Sequence, residues 1–278
     1  VGTRVLFFNK ELFRRAGLDP ESPPVTWVQL RETSRRIHSV ARGVSGFGLN
    51  AGERYVLFKK FMPFGWGNGG HILTEDLKHS KFFSKENLEA LSFYCSLKDC
   101  SLVEAQDMLD LAFKQGNLGM MISGGWNLKN IPRDAPDLDF GVALVPKPDV
   151  NRGSHASFAG GEILVVFAKS KRKAEALKLA RFLVSRENAM SICREAKHVQ
   201  PAFAGAESDP YYDTNPLERV LVLQLKTAVA PPPHPKWGEI EDAIGSLVEE
   251  ALHGRRSPEE ALREADRRIE AIVSGAGD

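Results

Sequence analysis

Segments that favour strands alternate with segments that favour helices, and this alternation restricts the fold more than any other feature. The run RVLFFN (4–9) is rich in strand-forming residues, and KELFRRAGL (10–18) then shows apolar residues at helical spacing before a glycine. The same order recurs at SGFGLN (45–50) followed by a helical segment at 54–68, and DFGVALVPKP (139–148) is a further strand ended by prolines. The alternation predicts an α/β fold.

Several helix starts carry local signals. Thr26, Ser84 and Ser257 precede amphipathic segments, and their hydroxyls are suited to accept hydrogen bonds from the first helical turn. Pro258 and Glu260 follow Ser257 at the spacing that predicts a capping box. The helix after Thr26 is expected to turn four side chains inward: Val28, Leu30, Thr33 and Ile37.

Two longer segments are each predicted to form a single element. SLVEAQDMLDLAFKQGN (101–117) has the spacing of one amphipathic helix. EILVVFA (162–168) is the longest apolar run, and we expect it to be a buried strand. It is much too short to span a membrane.

Charge and cysteine content exclude some classes of function. The 37 basic and 36 acidic residues leave a net charge of +1, which argues against a nucleic-acid-binding surface. Cys95, Cys100 and Cys193 match no metal spacing, and the histidines are scattered, so no metal site and no cofactor are predicted. Cys95 and Cys100 are either a local disulfide or two ordinary thiols, and the spacing does not decide between them.

The sequence shows no recognisable catalytic motif. It has no G-x-S-x-G, no H-E-x-x-H, no phosphate-binding loop and no dinucleotide-binding glycine pattern. The adjacent carboxylates of the C-terminal third lie beside Arg and Lys on helices, where they are typical of solvated faces and caps. A binding protein is therefore favoured over an enzyme.

Aromatic residues and glycines recur where one element meets the next. Tyr55 begins a helix, Trp126 follows two glycines at a strand end, and Trp237 follows a proline-stiffened loop. Gly160 and Gly161 precede the apolar run at 162–168. Loops at strand ends are where α/β proteins bind ligands, and aromatic faces suit sugars. The alternative is that each ring fills a core, and composition alone does not separate the two.

The order of these segments resembles the extracellular solute-binding proteins of bacterial ABC importers, in particular the sugar-binding group typified by maltose- and maltodextrin-binding proteins. The blocks that carry the resemblance are TRVLFFNKELFRRAGLDPESPPVTWVQL (3–30), NGGHIL (68–73), AFKQGNLGMMISGGWNLKNI (112–131), DFGVALVPKP (139–148), FAGGEILVVFAKSKRKAEALKLARFLVSRENA (158–189) and GEIEDAIGSLVEEALHGRRSPEEALREADRRI (238–269). Each block is loose by itself, but together they cover nearly the whole chain in the family's order.

The resemblance implies two lobes that close on a ligand by a hinge motion. Residues 5–155 and 204–278 would form the second lobe, and 156–203 a remnant of the first. Family members carry roughly a hundred residues before the block that begins here, so the first lobe is expected to be incomplete. The apolar strand and helix of the remnant would then lack packing partners, and we expect them to associate with a missing piece or a partner copy, or to rearrange.

The resemblance also implies roles for particular residues. Trp126 would present its ring to the ligand cleft, with Arg54 and Tyr55 at a ligand-facing helix start and Trp237 supplying another ring. Gly160 and Gly161 would let the backbone approach the ligand, or serve as a hinge. Trp27 and Trp66 are expected to be structural.

The function implied is that of the substrate-binding component of an ABC transporter. It would bind a sugar or oligosaccharide, act without catalysis, and deliver the ligand to the membrane permease from a periplasmic or extracellular location, with a lipid anchor as one form of the precursor. One alternative is a glycerophosphate-type or other polar solute, held by Arg54, Lys59 or a helix N-terminus. An alternative of another class is an α/β hydrolase or transferase, which would need a nucleophile or a carboxylate pair in one cleft.

Overall fold

A mixed sheet of seven strands runs through the centre of the molecule. The computed structural model describes residues 1–197 and 199–275. The strands lie in the order β3-β2-β4-β1-β6-β7, with β5 also paired to β1. Their bounds are Gly2–Asn9 (β1), Ser45–Asn50 (β2), Ser101–Glu104 (β3), Leu118–Gly124 (β4), Phe140–Ala143 (β5), Ser157–Gly160 (β6) and Ala228–Val229 (β7).

Strand β1 organises the sheet because it pairs with three others. It is antiparallel to β4 along one edge, and to β5 and then β6 along the other. Strands β2 and β4 are parallel, as are β2 and β3. The first residues of β1, the end of β4 and β6 therefore meet at one end of the sheet.

Helices cover both faces of this sheet. Their bounds are Lys10–Arg15 (α1), Trp27–His38 (α2), Arg54–Gly67 (α3), Lys85–Ser96 (α4), Gln106–Lys114 (α5), Asn127–Asp134 (α6), Lys173–Leu183 (α7), Arg186–Ala196 (α8), Pro216–Leu225 (α9), Trp237–Leu252 (α10) and Pro258–Ser274 (α11). The alternation predicted from the sequence is confirmed, and the fold is α/β.

Side chains of β1 alternate between two cores, as successive residues of a strand must. Leu6 and Phe8 enter the larger core, which α3, α4, α10 and α11 complete. Val5 and Phe7 enter the smaller core on the opposite face, with residues from α5, α6 and α9. A strand that is buried on both faces has the continuous apolar sequence seen at 5–8.

The predicted caps are confirmed. The Thr26 hydroxyl accepts a hydrogen bond from the Gln29 amide at 3.3 Å, and the Gln29 side-chain oxygen accepts one from the Thr26 amide. Ser257 and Glu260 form the same reciprocal pair at α11, and the Ser84 hydroxyl caps α4 by accepting from the Asn87 amide.

The inward face predicted for α2 is wrong at one position. Leu30, Thr33 and Ile37 are buried, but Val28 is 58% exposed. The inward position of the first turn belongs instead to Trp27, whose ring stacks on Phe93 at a centroid distance of 4.7 Å. Trp27 is therefore structural, as expected.

Two element predictions are also wrong. Residues 101–117 do not form one helix, because Ser101–Glu104 pair in parallel with β2 before α5 begins at Gln106. Residues 162–167 are not a buried strand: β6 ends at Gly160, and Ile163 and Phe167 are 84% and 80% exposed. A strand needs a neighbour for its backbone groups, and no described strand pairs with this segment.

The cysteines are all free thiols, which settles the alternative left open by their spacing. Cys95 and Cys100 do not pair; the Cys100 thiol donates to the Leu97 carbonyl at 3.2 Å. Within residues 1–197 and 199–275, no group of metal-ligating side chains comes together, and no helix is long and apolar enough to cross a bilayer.

Candidate functional site

Phe158, on β6, lies where the predicted aromatic residues converge. Its side chain is buried, yet cationic side chains from two elements approach its ring: the Arg4 guanidinium carbon at 5.6 Å and the Lys59 Nζ at 5.3 Å from the centroid. We call the group formed by Arg4, Tyr55, Lys59, Trp126, Phe158 and Trp237 the junction site. It draws on β1, α3, the end of β4, β6 and α10.

Trp126 lies just after β4, and its indole folds back over that strand. A Cβ atom on Gly124 would lie 1.9 Å from the indole, so glycine at this position makes room for the ring. The Arg4 guanidinium carbon lies over the same ring, 4.9 Å from its centroid. Glycine at position 124 therefore has a steric reason.

Asp110, on α5, fixes the orientation of this indole. One carboxylate oxygen accepts the indole Nε1–H of Trp126 at 3.1 Å. The other accepts from the Gln106 side-chain amide at 2.8 Å and the Asn127 side-chain amide at 2.9 Å. A ring held by a hydrogen-bonded carboxylate keeps one orientation, which is what a binding surface requires.

Three cations lie close to these rings. Lys60 is buried, and its ammonium donates to the Ile122 carbonyl at 2.6 Å; burial lowers the pKa of Lys60 well below its usual value. Burial also lowers the pKa of Arg4 to about 10 and lowers the pKa of Lys59. Each cation is thus held partly out of water beside aromatic faces, where cation–π attraction is strongest.

Tyr55 and Arg54 line a groove of about 460 Å³ between the first turns of α3 and α10, together with Gly52, Glu53, Gly238, Glu241 and Asp242. Tyr55 is 57% exposed, and the Lys59 ammonium lies 4.8 Å from its ring centroid. The Arg54 guanidinium forms an ion pair with Asp242 at 3.0 Å. Its charge is therefore already compensated, although the residue remains at the groove.

Trp237 is the first residue of α10 and is partly buried. Its ring meets Phe58 edge to face at 5.3 Å, and Phe58 in turn meets Phe158 at 6.5 Å. Phe58 is fully buried, so Trp237 is linked to Phe158 only through the main core, against which it packs. The fourth tryptophan, Trp66, packs edge to face on Phe58 against the main core, as expected of a structural residue.

Gly160 and Gly161 occupy the strand junction itself. Gly160 pairs with Gly2, and a Cβ atom there would lie 2.8 Å from the Phe158 ring. A Cβ atom on Gly161 would lie 3.3 Å from the Val1 side chain. Neither glycine has a left-handed backbone, so at Gly160 the small size makes room for the ring of Phe158.

The structure therefore brings Tyr55, Trp126 and Gly160 to the surroundings of Phe158 and leaves Arg54, Gly161 and Trp237 at the edges. Arg4, Asp110 and Phe158 were not predicted from the sequence. A signal existed for Arg4, because it is a cation at the head of the apolar run VLFF. Nothing comparable marks Phe158, which lies among other apolar residues.

Loops at the strand ends of an α/β fold are common places for ligand binding, and the aromatic side chains gather at such a place here. The chain belongs to the bacterial extracellular solute-binding protein family, whose model matches residues 1–190. The family expectation is confirmed.

Individual relatives agree with this assignment. A putative binding protein of Brucella abortus (strain 2308) is 28% identical over 97% of this chain, and the sn-glycerol-3-phosphate-binding periplasmic protein of Salmonella typhimurium is 25% identical over 94%. The chain spans 66% and 63%, respectively, of the lengths of these two curated relatives.

Solved structures agree as well. A solute-binding protein of Thermotoga lettingae bound with α-D-tagatose matches 98% of this chain and 70% of its own, with 29% identity and a TM-score of 0.83. The cyclic α-maltosyl-1,6-maltose binding protein of Arthrobacter globiformis matches 99% of this chain and 71% of its own, with 27% identity and a TM-score of 0.85. All four relatives are named as binding proteins.

Proposed function

We propose that this protein is the solute-binding component of an ABC importer and that it takes a sugar or related polyol at the junction site. The observation that carries the proposal is that Tyr55 and Trp126, which lie far apart in the sequence, approach Phe158 through the cations Lys59 and Arg4 that they share with its ring. The protein would act by binding and release to the membrane permease, without catalysis.

The chemistry of the site suits a hydroxyl-rich solute. Aromatic faces cover the apolar C–H faces of a sugar ring, while charged and polar side chains hydrogen-bond to its hydroxyls. Tyr55 supplies an exposed ring beside the groove, and Glu53 and Glu241 supply carboxylates to the same groove. A site lined by both aromatic and charged side chains suits a polyol better than it suits an apolar ligand.

We propose the lobe division 5–155 plus 204–278 for the second lobe and 156–203 for part of the first. Support comes from the main core, which joins residues 6–145 to residues 240–269; Phe158, near the start of 156–203, packs into the same core, so the proposed division lies after β6. Helix α7, in the proposed first-lobe part, has no buried residue at all. Helix α8 does contact the rest of the chain, because Met190 packs with Tyr212 and Val222.

We further propose that the apolar surface of 162–184 packs against first-lobe polypeptide from the third of the relatives' length that this chain does not match. Several large apolar side chains are exposed there, namely Ile163, Leu164, Val165, Phe167, Leu177, Leu179, Phe182 and Val184. Covering such a surface would gain about 25 cal/mol per Å². A periplasmic or extracellular location, with or without a lipid anchor, completes the proposal.

This surface can be tested on residues 1–278 alone. We expect the 278-residue chain to bind the dye ANS and to self-associate in sedimentation experiments, and the double variant Ile163→Ser/Phe167→Ser to do both less. Val28→Ser, which alters an exposed apolar residue on α2, serves as the matched control and should change neither. Equal dye binding by the unchanged chain and the double variant would refute the packing proposal.

The binding function is tested by a thermal-shift screen against monosaccharides, maltodextrins and phosphorylated polyols. A ligand at 100 times its dissociation constant should stabilise the protein by about 2.7 kcal/mol. Tyr55→Ala should weaken the binding of any hit, whereas Phe182→Ala, which removes an equally exposed ring on α7, should not. Turnover of a glycoside in the same samples would instead favour a hydrolase.

A further inference from the structure

We propose that the solute bound at the junction site carries an anionic group, a phosphate ester or a carboxylate on a polyol, and that Arg4 and Lys59 recognise it. This inference rests on the proposed function and adds the charge of the ligand to it.

The positive charge of Arg4 has no carboxylate partner among the described residues, and one of its N–H donors has no acceptor there. Its Nη1 donates to the carbonyl of the neighbouring Thr3 at 3.2 Å. Its Nε–H is buried and finds no acceptor within the described chain. No carboxylate of the described residues lies within ion-pair distance of the guanidinium; its neighbours are the rings of Trp126 and Phe158, at 4.9 and 5.6 Å. Leaving a buried donor of a charged group unpaired is costly, so a ligand acceptor would be strongly favoured.

Lys59 shows the same feature on the other side of Phe158. Its ammonium lies 5.3 Å from the Phe158 centroid and 4.8 Å from that of Tyr55, and none of the described side chains forms a hydrogen bond or ion pair with it. Arg4 and Lys59 therefore approach the same ring without a bound counter-charge. Their mutual repulsion adds to burial in lowering the pKa of Lys59.

The nearby carboxylates do not cancel these charges by direct contact. Asp110 is occupied by Gln106, Trp126 and Asn127. Glu53 accepts from the Asn50 side-chain amide at 3.2 Å and from the Gln106 backbone at 2.8 Å.

Glu241 is the remaining carboxylate that acts on Lys59. Burial raises the pKa of Glu241, and the charge of Lys59 opposes that rise, but the two groups are not within ion-pair distance. Lys60 differs from Arg4 and Lys59, because its ammonium already has the Ile122 carbonyl as a partner.

The geometry suits an anion attached to a polyol more than a free anion. A guanidinium presents a planar fork that matches the paired oxygens of a phosphate or carboxylate, and an ammonium adds a point charge. Phe158 lies beside both cations, Trp126 beside Arg4 and Tyr55 beside Lys59, and these rings would cover the apolar faces of the attached carbon chain. An anion placed between Arg4 and Lys59 would also remove the repulsion between them.

The test is calorimetric titration with matched ligand pairs: glycerol 3-phosphate against glycerol, glucose 6-phosphate and glucuronate against glucose, and inorganic phosphate alone. We expect at least one anionic member to bind about tenfold or more tightly than its neutral partner, with affinity that falls as salt rises. Binding of the phosphorylated ligands would identify the anion as a phosphate ester, and binding of glucuronate would identify it as a carboxylate. Inorganic phosphate should bind more weakly than either phosphorylated polyol.

Variants then assign the preference to the two cations. Arg4→Gln and Lys59→Gln should each reduce the preference for the anionic member about tenfold. Lys178→Gln, at an exposed lysine on α7, should leave it unchanged. If Arg4→Gln fails to fold by circular dichroism, Lys59→Gln decides, because Lys59 lies on a helix and is only half-buried.

The outcomes separate this inference from the proposed function. Equal affinity for neutral and anionic members, unaffected by either variant, overturns the inference and leaves polyol binding intact. Binding of inorganic phosphate as tight as that of the phosphorylated polyols also overturns it. Absence of binding by every member overturns both proposals.

Discussion

The guanidinium of Arg4 lies 4.9 Å from the centre of the Trp126 indole, so the start of β1 and the end of β4 meet in one cation–π contact. The two strands are paired antiparallel, with Arg4 opposite Gly124. The contact therefore follows from strand register: a shift by one residue would turn Arg4 to the other face of the sheet. The pairing of β1 with β4 therefore places these two residues of the junction site beside each other.

Replacing Asp110 by Asn should disturb the Trp126 indole without a change in side-chain size. The new side-chain NH2 would face N–H groups that are themselves hydrogen-bond donors, and leaving such donors unpaired costs about 1–3 kcal/mol. We expect lower stability in urea and an altered tryptophan emission spectrum. Asp107→Asn, an exposed neighbour on α5, is the control and should alter neither. An unchanged spectrum for Asp110→Asn would show that the carboxylate does not hold the ring.

Gly124→Ala should displace the same indole by steric overlap. The new methyl group would lie 1.9 Å from the ring, and overpacking of this kind costs about 1–3 kcal/mol. Gly2→Ala is the control, because a Cβ atom there meets nothing within 4 Å. We expect Gly124→Ala to lose solute affinity and stability while Gly2→Ala retains both. Retained affinity in Gly124→Ala would remove Trp126 from the binding surface.

The thiols should react slowly while the protein is folded. Burial raises the pKa of Cys95 to about 11 and raises the pKa of Cys100 and Cys193, so little reactive thiolate is present near neutral pH. Titration with Ellman's reagent should release three equivalents after unfolding without any reductant. One equivalent would indicate a disulfide between two of the cysteines.

The contact between His79 and Glu270 should make stability depend on pH. The imidazole Nδ1 lies 2.9 Å from the Glu270 carboxylate, and that hydrogen bond raises the pKa of His79 above 6.5. The contact stabilises the folded state fully at pH values below the pKa of this histidine in the unfolded chain. This stabilisation is lost as the pH rises through the higher pKa of His79 in the folded protein.

Removing this imidazole tests the sign of the effect. His79→Gln should therefore destabilise the protein more at about pH 6 than at about pH 9. The comparison needs urea unfolding curves at both values, with His71→Gln, an exposed histidine nearby, as the control. A larger loss at the higher pH would contradict the assigned direction.

The sequence predicted most of the fold because local signals and packing agree in it. Thr26, Ser84 and Ser257 are caps in the structure as they are in the pattern, and β1, β2 and β4 lie where strand-forming residues cluster. The prediction failed at Ser101–Glu104, a four-residue edge strand that pairs with β2. Pairing of this kind depends on a distant segment, which local spacing does not encode.

The apolar run at 162–168 failed for a related reason. Its composition favours a strand, but a strand forms only where another strand or a covering layer receives it. The candidate site was likewise predicted only in part. Rings at element junctions pointed to Tyr55, Trp126 and Trp237, whereas Phe158 and Asp110 matter through contacts between distant elements.

A crystal structure of the protein with a bound solute from the titration panel tests the central claim most directly. The account predicts a ligand within about 4 Å of the rings of Tyr55 and Trp126, with its anionic group between Arg4 and Lys59. A ligand bound elsewhere, for example in the apolar groove lined by Leu164, Ile192 and Phe203, with the junction site empty, would contradict it.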